Sequence, residues 1–349
     1  MTSKGQENKM NFHPPDNWLK IKTIDMHTGG EPLRIIVDGL PKLEGNTLLQ
    51  KRRFFKDHFD HIRTGIILEP RGHNDMYGAI LTEASSLEAD FGVFFIHNQG
   101  YSSMCGHAII ALTKFVIEMG LIPTPGQNPE LRIETPAGIV IAKPHGDIGK
   151  IKKSSFLNVP SFLYLKERQI HVGGIGDVNF DIAFGGAFYT ICNGNSMGLK
   201  LLPSEYHKLV EYGMAIKHAV SDNFQIEHPV EKELGFLYGT IFTGKPENQA
   251  NHSRNVCIFA DGEIDRSATG TGVSARAALH YAKSEMNINE SYTIESISGT
   301  TMDVKIIEET RFGNYDAIIP EVSGSAFYTG ENVFYFDPDD PLIKGFNLR

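Results

Sequence analysis

Short apolar runs bounded by glycines or polar residues recur along the whole chain. The runs LRIIV at 33–37, DFGVFFIH at 90–97, FYTI at 188–191 and NVCIFA at 255–260 have the length and the β-branched or aromatic content of strands. Apolar spacing of helical period is confined to fewer places. Helices are predicted at 46–63 and 203–220, and two more in ALTKFVIEMG (111–120) and SARAALHYAKSEM (274–286). Each of these last two follows a glycine turn, MCGH at 104–107 and ATGTG at 268–272. A turn of this kind opening a helix leaves backbone N–H groups without intrahelical partners, and those groups attract a small anion.

The chain also resembles itself. Four short matches occur in the same order in both halves: HTGGEPLRIIV with AFGGAFYTI (Gly29 and Gly185), MYGAIL with LYGTIF (Tyr77 and Tyr238), MCGHAIIAL with ATGTGVSAR (Cys105 and Thr269), and RIETPAG with TIESISG (Glu134 and Glu295). Their offsets of 156, 161, 164 and 161 residues agree within 8, which points to two copies of one domain. Each copy reads as mostly strand with one helix that the strands could enclose, an α/β architecture. The division expected is residues 20–150 and 155–338, with PHGDIGKIKKSS around 145–155 as the linker and DPDDPL at 337–342 as a solvated acidic turn.

A length of 349 residues fits two domains, and 41% hydrophobic with 21% charged residues is the balance of a soluble globular protein. The net charge of −9 is spread without basic clusters, so nucleic acid is not an expected partner. No apolar run approaches a membrane span, and the start, MTSKGQENKM, carries no apolar leader, so a cytoplasmic location is expected. The three cysteines have no metal-like or paired spacing and are expected to be thiols. Cys192 and Cys257 sit inside strand-like runs and read as small core residues. His27, His73, His97 and His252 lack ligand spacing and read as packing or loop-holding residues. GTGV lacks the ending of a phosphate-binding loop, and no metal or cofactor is called for.

If the two glycine turns meet in a cleft between the domains, one carboxylate could accept N–H groups from Gly106 and His107 on one side and from Gly270 and Thr271 on the other. Cys105 at a helix start, with His107 beside it, is placed where a thiol pKa is expected to fall toward neutrality. Its alternative is a capping or packing cysteine. Asp265 could bind a substrate ammonium once the carboxylate is anchored, or be a turn aspartate.

The motifs MCGHAIIAL and DRSATGTG, with DMHTGGEPLR, EPRGHNDMYGA and HSRNVCIFADGEIDRS, resemble the proline racemase family over residues 23–349. That family includes hydroxyproline 2-epimerases and trans-3-hydroxy-L-proline dehydratases. The resemblance implies a diaminopimelate-epimerase-like fold, two pseudo-symmetric α/β domains each with a mixed sheet around a central helix, and a site between them. It also implies a cofactor-free homodimer and a C-terminal segment, about 339–349, that returns to the first domain. By the same resemblance Cys105 matches the first catalytic cysteine, Gly106, His107, Gly270 and Thr271 the substrate-binding turns, and Asp265 the group that binds the ring nitrogen.

The departure is Thr269, where racemases and epimerases of the family carry a second cysteine. Inverting Cα needs an acid and a base on opposite faces, and an alkyl hydroxyl serves poorly as either without an activating base. Dehydration of trans-3-hydroxy-L-proline needs less. Its 3-hydroxyl lies on the same ring face as the Cα hydrogen, so one thiol could take the proton and return it to the departing hydroxide. The expectation is therefore cofactor-independent dehydration, with racemisation or epimerisation of proline or 4-hydroxyproline as the alternative and a silent amino-acid-binding protein as a third reading.

Overall fold

The computed structural model describes residues 12–122, 129–147 and 149–348. The start of the chain, residues 1–11, on which the leader reading falls, lies outside them. The first half runs β1 (Leu19–Thr28), β2 (Glu31–Asp38), α1 (Leu48–Ile67), β3 (Gly78–Thr82), β4 (Phe91–Ile96), β5 (Tyr101–Ser102), α2 (Gly106–Glu118), β6 (Leu131–Thr135), β7 (Gly138–Asp147), β8 (Lys150–Leu157) and β9 (Ser161–Val172). The second repeats that order as β10 (Gly176–Phe184), β11 (Phe188–Asn193), α3 (Tyr206–Asn223), β12 (Leu237–Gly244), β13 (Ser253–Phe259), β14 (Glu263–Ile264), α4 (Gly270–Ala282), β15 (Ser291–Glu295), β16 (Thr301–Phe312), β17 (Tyr315–Gly324) and β18 (Ala326–Phe336).

The pairings repeat as well as the order. β2–β3 and β11–β12 are parallel, β3–β4 and β12–β13 antiparallel, β4–β6 and β13–β15 parallel. The repeated glutamates do the same work in each copy. Glu134 accepts the Ser85 backbone N–H at 2.7 Å, and Glu295 accepts those of Glu247 and Asn248 at 2.8 Å, so each carboxylate pins the loop between two neighbouring strands.

The two copies exchange their last strands. β9 pairs with β10 of the second half, while β18 lies along β1 from Leu19↔Phe336 to Thr28↔Ala326. Beyond β18 the chain stays on the first half, where Glu69 bridges to Phe346 and Arg71 pairs with Asp340 at 2.9 Å. The acidic turn at 337–342 is thus tied to Arg71 rather than simply solvated, because the exchange carries it against α1's end. The stretch expected to be a linker is a hairpin: β7 and β8 pair through His145↔Lys153, with Gly146 at positive φ where the register shifts and Gly149 at positive φ in the turn. Lysines and small polar residues there mimic a linker, but Ile151, Ser154 and Ser155 take buried positions.

Burial explains why some strands are apolar throughout. In β4, Phe91, Val93 and Phe95 face the core around α2, while Phe94 and Ile96 face a second core under α1 with Ile62, Ile66 and Phe336. Helix α2 is buried on nearly every side, as an enclosed helix must be, and α4 likewise. Helix α1 starts at a capping box of Thr47 and Gln50 and runs four residues beyond its predicted end, because Gly65, Ile66 and Ile67 are still buried. Cys192 and Cys257 are free and buried in the main core. No helix of the described residues is long and apolar enough to cross a membrane.

Candidate active site

The two enclosed helices point their N-termini at each other. Cys105 is the N-cap of α2 and Thr269 that of α4, and neither side chain caps its own helix. A Cβ on Gly106 would lie 2.6 Å from the Gly270 Cα, and one on Gly270 would lie 2.7 Å from the Gly106 Cα. Two helix starts can abut this closely only if both carry glycine. The result is a double cradle of backbone donors, in which both helix ends favour the same negative charge.

Around this contact lies a small cavity, about 20 Å³, lined by all seven residues singled out in the sequence: Cys105, Gly106, His107, Asp265, Thr269, Gly270 and Thr271. It has room for about one water. Admitting an imino acid therefore requires the halves to part. The structure adds lining residues that sequence reasoning missed, namely Tyr77, Met104, Tyr189, Tyr238 and Phe259. Tyr77 and Tyr238 did leave a signal as a matched pair in the repeat, but nothing local tied them to the turns.

Cys105 and His107 are in direct contact, with Sγ 3.1 Å from Nδ1. The Pro32 carbonyl lies near the His107 ring and favours its protonated form, but by less than burial disfavours it. Thr28 Oγ1 donates to the His107 carbonyl at 2.8 Å and fixes the turn. The expected fall of the Cys105 pKa does not occur in this closed state. Burial pushes the thiol well above its ordinary value, and the Ala108 N–H at the helix start and Tyr77 offset this only in part. Burial likewise pushes His107 down to about 3, so the pair is a neutral thiol beside a neutral imidazole.

Asp265 is buried, and its carboxyl is pushed up to about 6 by burial, against hydrogen bonds from Ser267 that favour the charged form. Thr269 adopts φ 65°, ψ 92°, an unusual conformation for a β-branched residue. Its Oγ1 is near the Asp265 carboxylate and the Cys257 thiol but forms no hydrogen bond of normal geometry among the described residues.

Charged groups beside the cavity join the halves. Arg266 reaches Asp75 at 2.6 Å and Glu31 at 3.7 Å. Arg34 grips Asp25 at 2.9 Å and donates to the carbonyls of Ile66 and Arg71, so it holds the end of α1. His27 accepts the Gly30 N–H, His73 accepts that of Asp75, and His252 stacks on Tyr292 at 3.8 Å. His97 is buried against the Tyr77 and Tyr238 rings.

A family model described as proline racemase matches residues 23–347. The chain is 50% identical over 334 residues to a trans-3-hydroxy-L-proline dehydratase of Colwellia psychrerythraea, covering 96% of this chain and 94% of that one. It is 42% identical over 341 residues to the trans-3-hydroxy-L-proline dehydratase of Homo sapiens, covering 94% and 95%. A proline racemase of Clostridioides difficile is 39% identical over 333 residues, covering 94% and 98%. Among solved structures, a hydroxyproline epimerase from Agrobacterium vitis with bound trans-4-hydroxy-L-proline superposes with a TM-score of 0.88 at 27% identity, over 95% of this chain and 96% of that one.

Proposed function

This chain belongs to the proline racemase family, and we propose that within it the protein is a hydro-lyase that converts trans-3-hydroxy-L-proline to Δ1-pyrroline-2-carboxylate. The observation that carries this reading is the pairing of one thiol with one alkyl hydroxyl at the two helix starts. Asp265 lies near the Thr269 hydroxyl, but a carboxyl with a pKa of about 6 is far too weak a base to ionise an alkyl alcohol. Of the two side chains at the helix starts, Cys105 is then the one able to move the Cα proton.

The substrate carboxylate sits between the N–H groups of Gly106 and His107 and those of Gly270 and Thr271, and its ring ammonium sits on Asp265. Cys105 ionises while the site is open to water and the helix start can stabilise the thiolate; closure then traps the thiolate beside the cationic ring nitrogen. The thiolate takes the Cα proton. The C3–O bond breaks on the same face, and the proton on Cys105 passes to the departing hydroxide as water. The enamine left behind tautomerises to the cyclic imine. His107, in contact with the Cys105 sulfur, keeps it positioned over the cleft. The domain division that suits this site is residues 20–150 with the C-terminal return against 155–338, and the β18–β1 pairing supports a return from Ala326 onward.

The test is to give the purified protein trans-3-hydroxy-L-proline, L-proline and trans-4-hydroxy-L-proline separately, without cofactor, following imine formation and optical rotation. Imine from the first alone is expected. Thr269→Cys should then gain epimerase activity toward proline or 4-hydroxyproline, because it restores a second thiol. Rotation changing with wild type and no imine would make the protein an isomerase instead.

A pH profile follows from Asp265. Only the ionised carboxylate holds the ring ammonium, so kcat/KM is expected to fall on the acid side with an apparent pKa near 6. His97 and His107, both held near 3, should add no limb between pH 5 and 8. A profile flat down to pH 5 would count against this role of Asp265.

A further inference from the structure

Three tyrosines line the reaction cavity, and the repeat makes them comparable. The Tyr77 hydroxyl is hydrogen-bonded to Ser102, and the Tyr189 hydroxyl to Thr271 Oγ1 at 2.7 Å. Tyr238 is the repeat partner of Tyr77, only 6% exposed, yet its hydroxyl is buried with no hydrogen-bond partner of normal geometry among the described residues. Strand register shows why. Ser102 pairs with Phe95 across β4–β5, and the corresponding pair across β13–β14 is Ile264 with Ile258. The second copy therefore has an isoleucine where the first has the serine that holds its tyrosine. Tyr238 faces Tyr77, whose hydroxyl also meets Ser102 and Cys105, and the approach of the two phenols falls short of a hydrogen bond of normal geometry.

An unpaired buried phenol costs stability that a hydrogen bond to ligand would recover. The substrate carboxylate and ring nitrogen already have their donors and acceptor, which leaves the 3-hydroxyl as the polar group of the substrate without a partner. Resting on the dehydratase reading, we propose that the Tyr238 hydroxyl recognises the 3-hydroxyl and donates a hydrogen bond to that oxygen as it departs. The bonds made and broken are those already given: Cα–H breaks toward Cys105, C3–O breaks, and the proton from Cys105 completes the water. Tyr238 keeps its own proton, as burial, which holds the phenol well above its ordinary pKa, favours.

The experiment uses Tyr238→Phe, which retains the ring contacts to Phe259 and Tyr189. Binding of trans-3-hydroxy-L-proline and of L-proline is first measured by calorimetry in a Cys105→Ala background, with and without Tyr238→Phe. Tyr238→Phe should remove the preference for the hydroxylated ligand and leave L-proline affinity within about twofold. With Cys105 intact, the same variant should lower kcat roughly 10- to 100-fold, the size of a lost hydrogen bond to a group developing charge. A preference that survives Tyr238→Phe overturns the proposal, as does an equal loss of L-proline affinity, which would mark Tyr238 as a packing residue. Failure of the dehydratase reading would show separately, as a wild type that makes no imine, while the binding preference still reports on Tyr238.

Discussion

Cys105→Ala should lower kcat/KM for trans-3-hydroxy-L-proline by about 10³-fold or more, with the fold and ligand binding intact. The size follows from asking one group to act twice, as base toward Cα and as acid toward the leaving oxygen, where either role alone is worth about 10²- to 10⁴-fold. The fold should survive because the Cys105 side chain does not cap α2, and the first intrahelical bond, Ile109 N–H to the Cys105 carbonyl at 3.0 Å, belongs to the backbone. Cys105→Ser should be nearly as inactive, since it leaves alkyl hydroxyls at both helix starts. Steady-state kinetics beside a thermal melt separates loss of chemistry from loss of fold. More than a tenth of wild-type kcat/KM in Cys105→Ala would place the proton acceptor elsewhere.

Gly270→Ala is expected to cost at least about 10²-fold in kcat/KM and to lower the melting temperature. The added methyl would meet backbone: Gly106 Cα at 2.7 Å, Gly106 C at 3.0 Å and the His107 N at 3.4 Å. A flexible side chain could swing away from such a contact, but these atoms belong to the first turn of a helix buried on nearly every side. Overpacking of that kind typically costs about 1–3 kcal/mol. The relief available is to move the helix starts apart, and a misplacement of roughly 1 Å in a positioned site can cost about 10²-fold. Gly106→Ala should behave alike, its Cβ being 2.6 Å from the Gly270 Cα. Wild-type kinetics in either variant would mean that the two turns do not act as one cradle.

Much of this site is legible in the sequence because its parts are local. A glycine turn at a helix start is written in consecutive residues, and the internal repeat by itself puts Cys105 and Thr269 in equivalent positions. The same repeat makes each half mostly strand with one helix that the strands could enclose. The absence of a second thiol, and with it the argument for one-sided proton transfer, depends on the identity of one residue.

What the sequence could not decide depends on residues far apart in the chain. The Cys105 pKa turns on burial by both halves, and that outweighs the helix-start effect that the local pattern puts first. The linker and acidic-turn readings failed because partners for those segments, β8 with β7 and Asp340 with Arg71, come from pairing and strand exchange. Tyr238 is conspicuous only when strand register sets Ile264 opposite the position of Ser102. Local patterns determined which residues open helices and which acid-base chemistry they carry; tertiary structure decided how dry the site is and which polar groups are left for the substrate, because desolvation and hydrogen-bond satisfaction are properties of the whole enclosing fold.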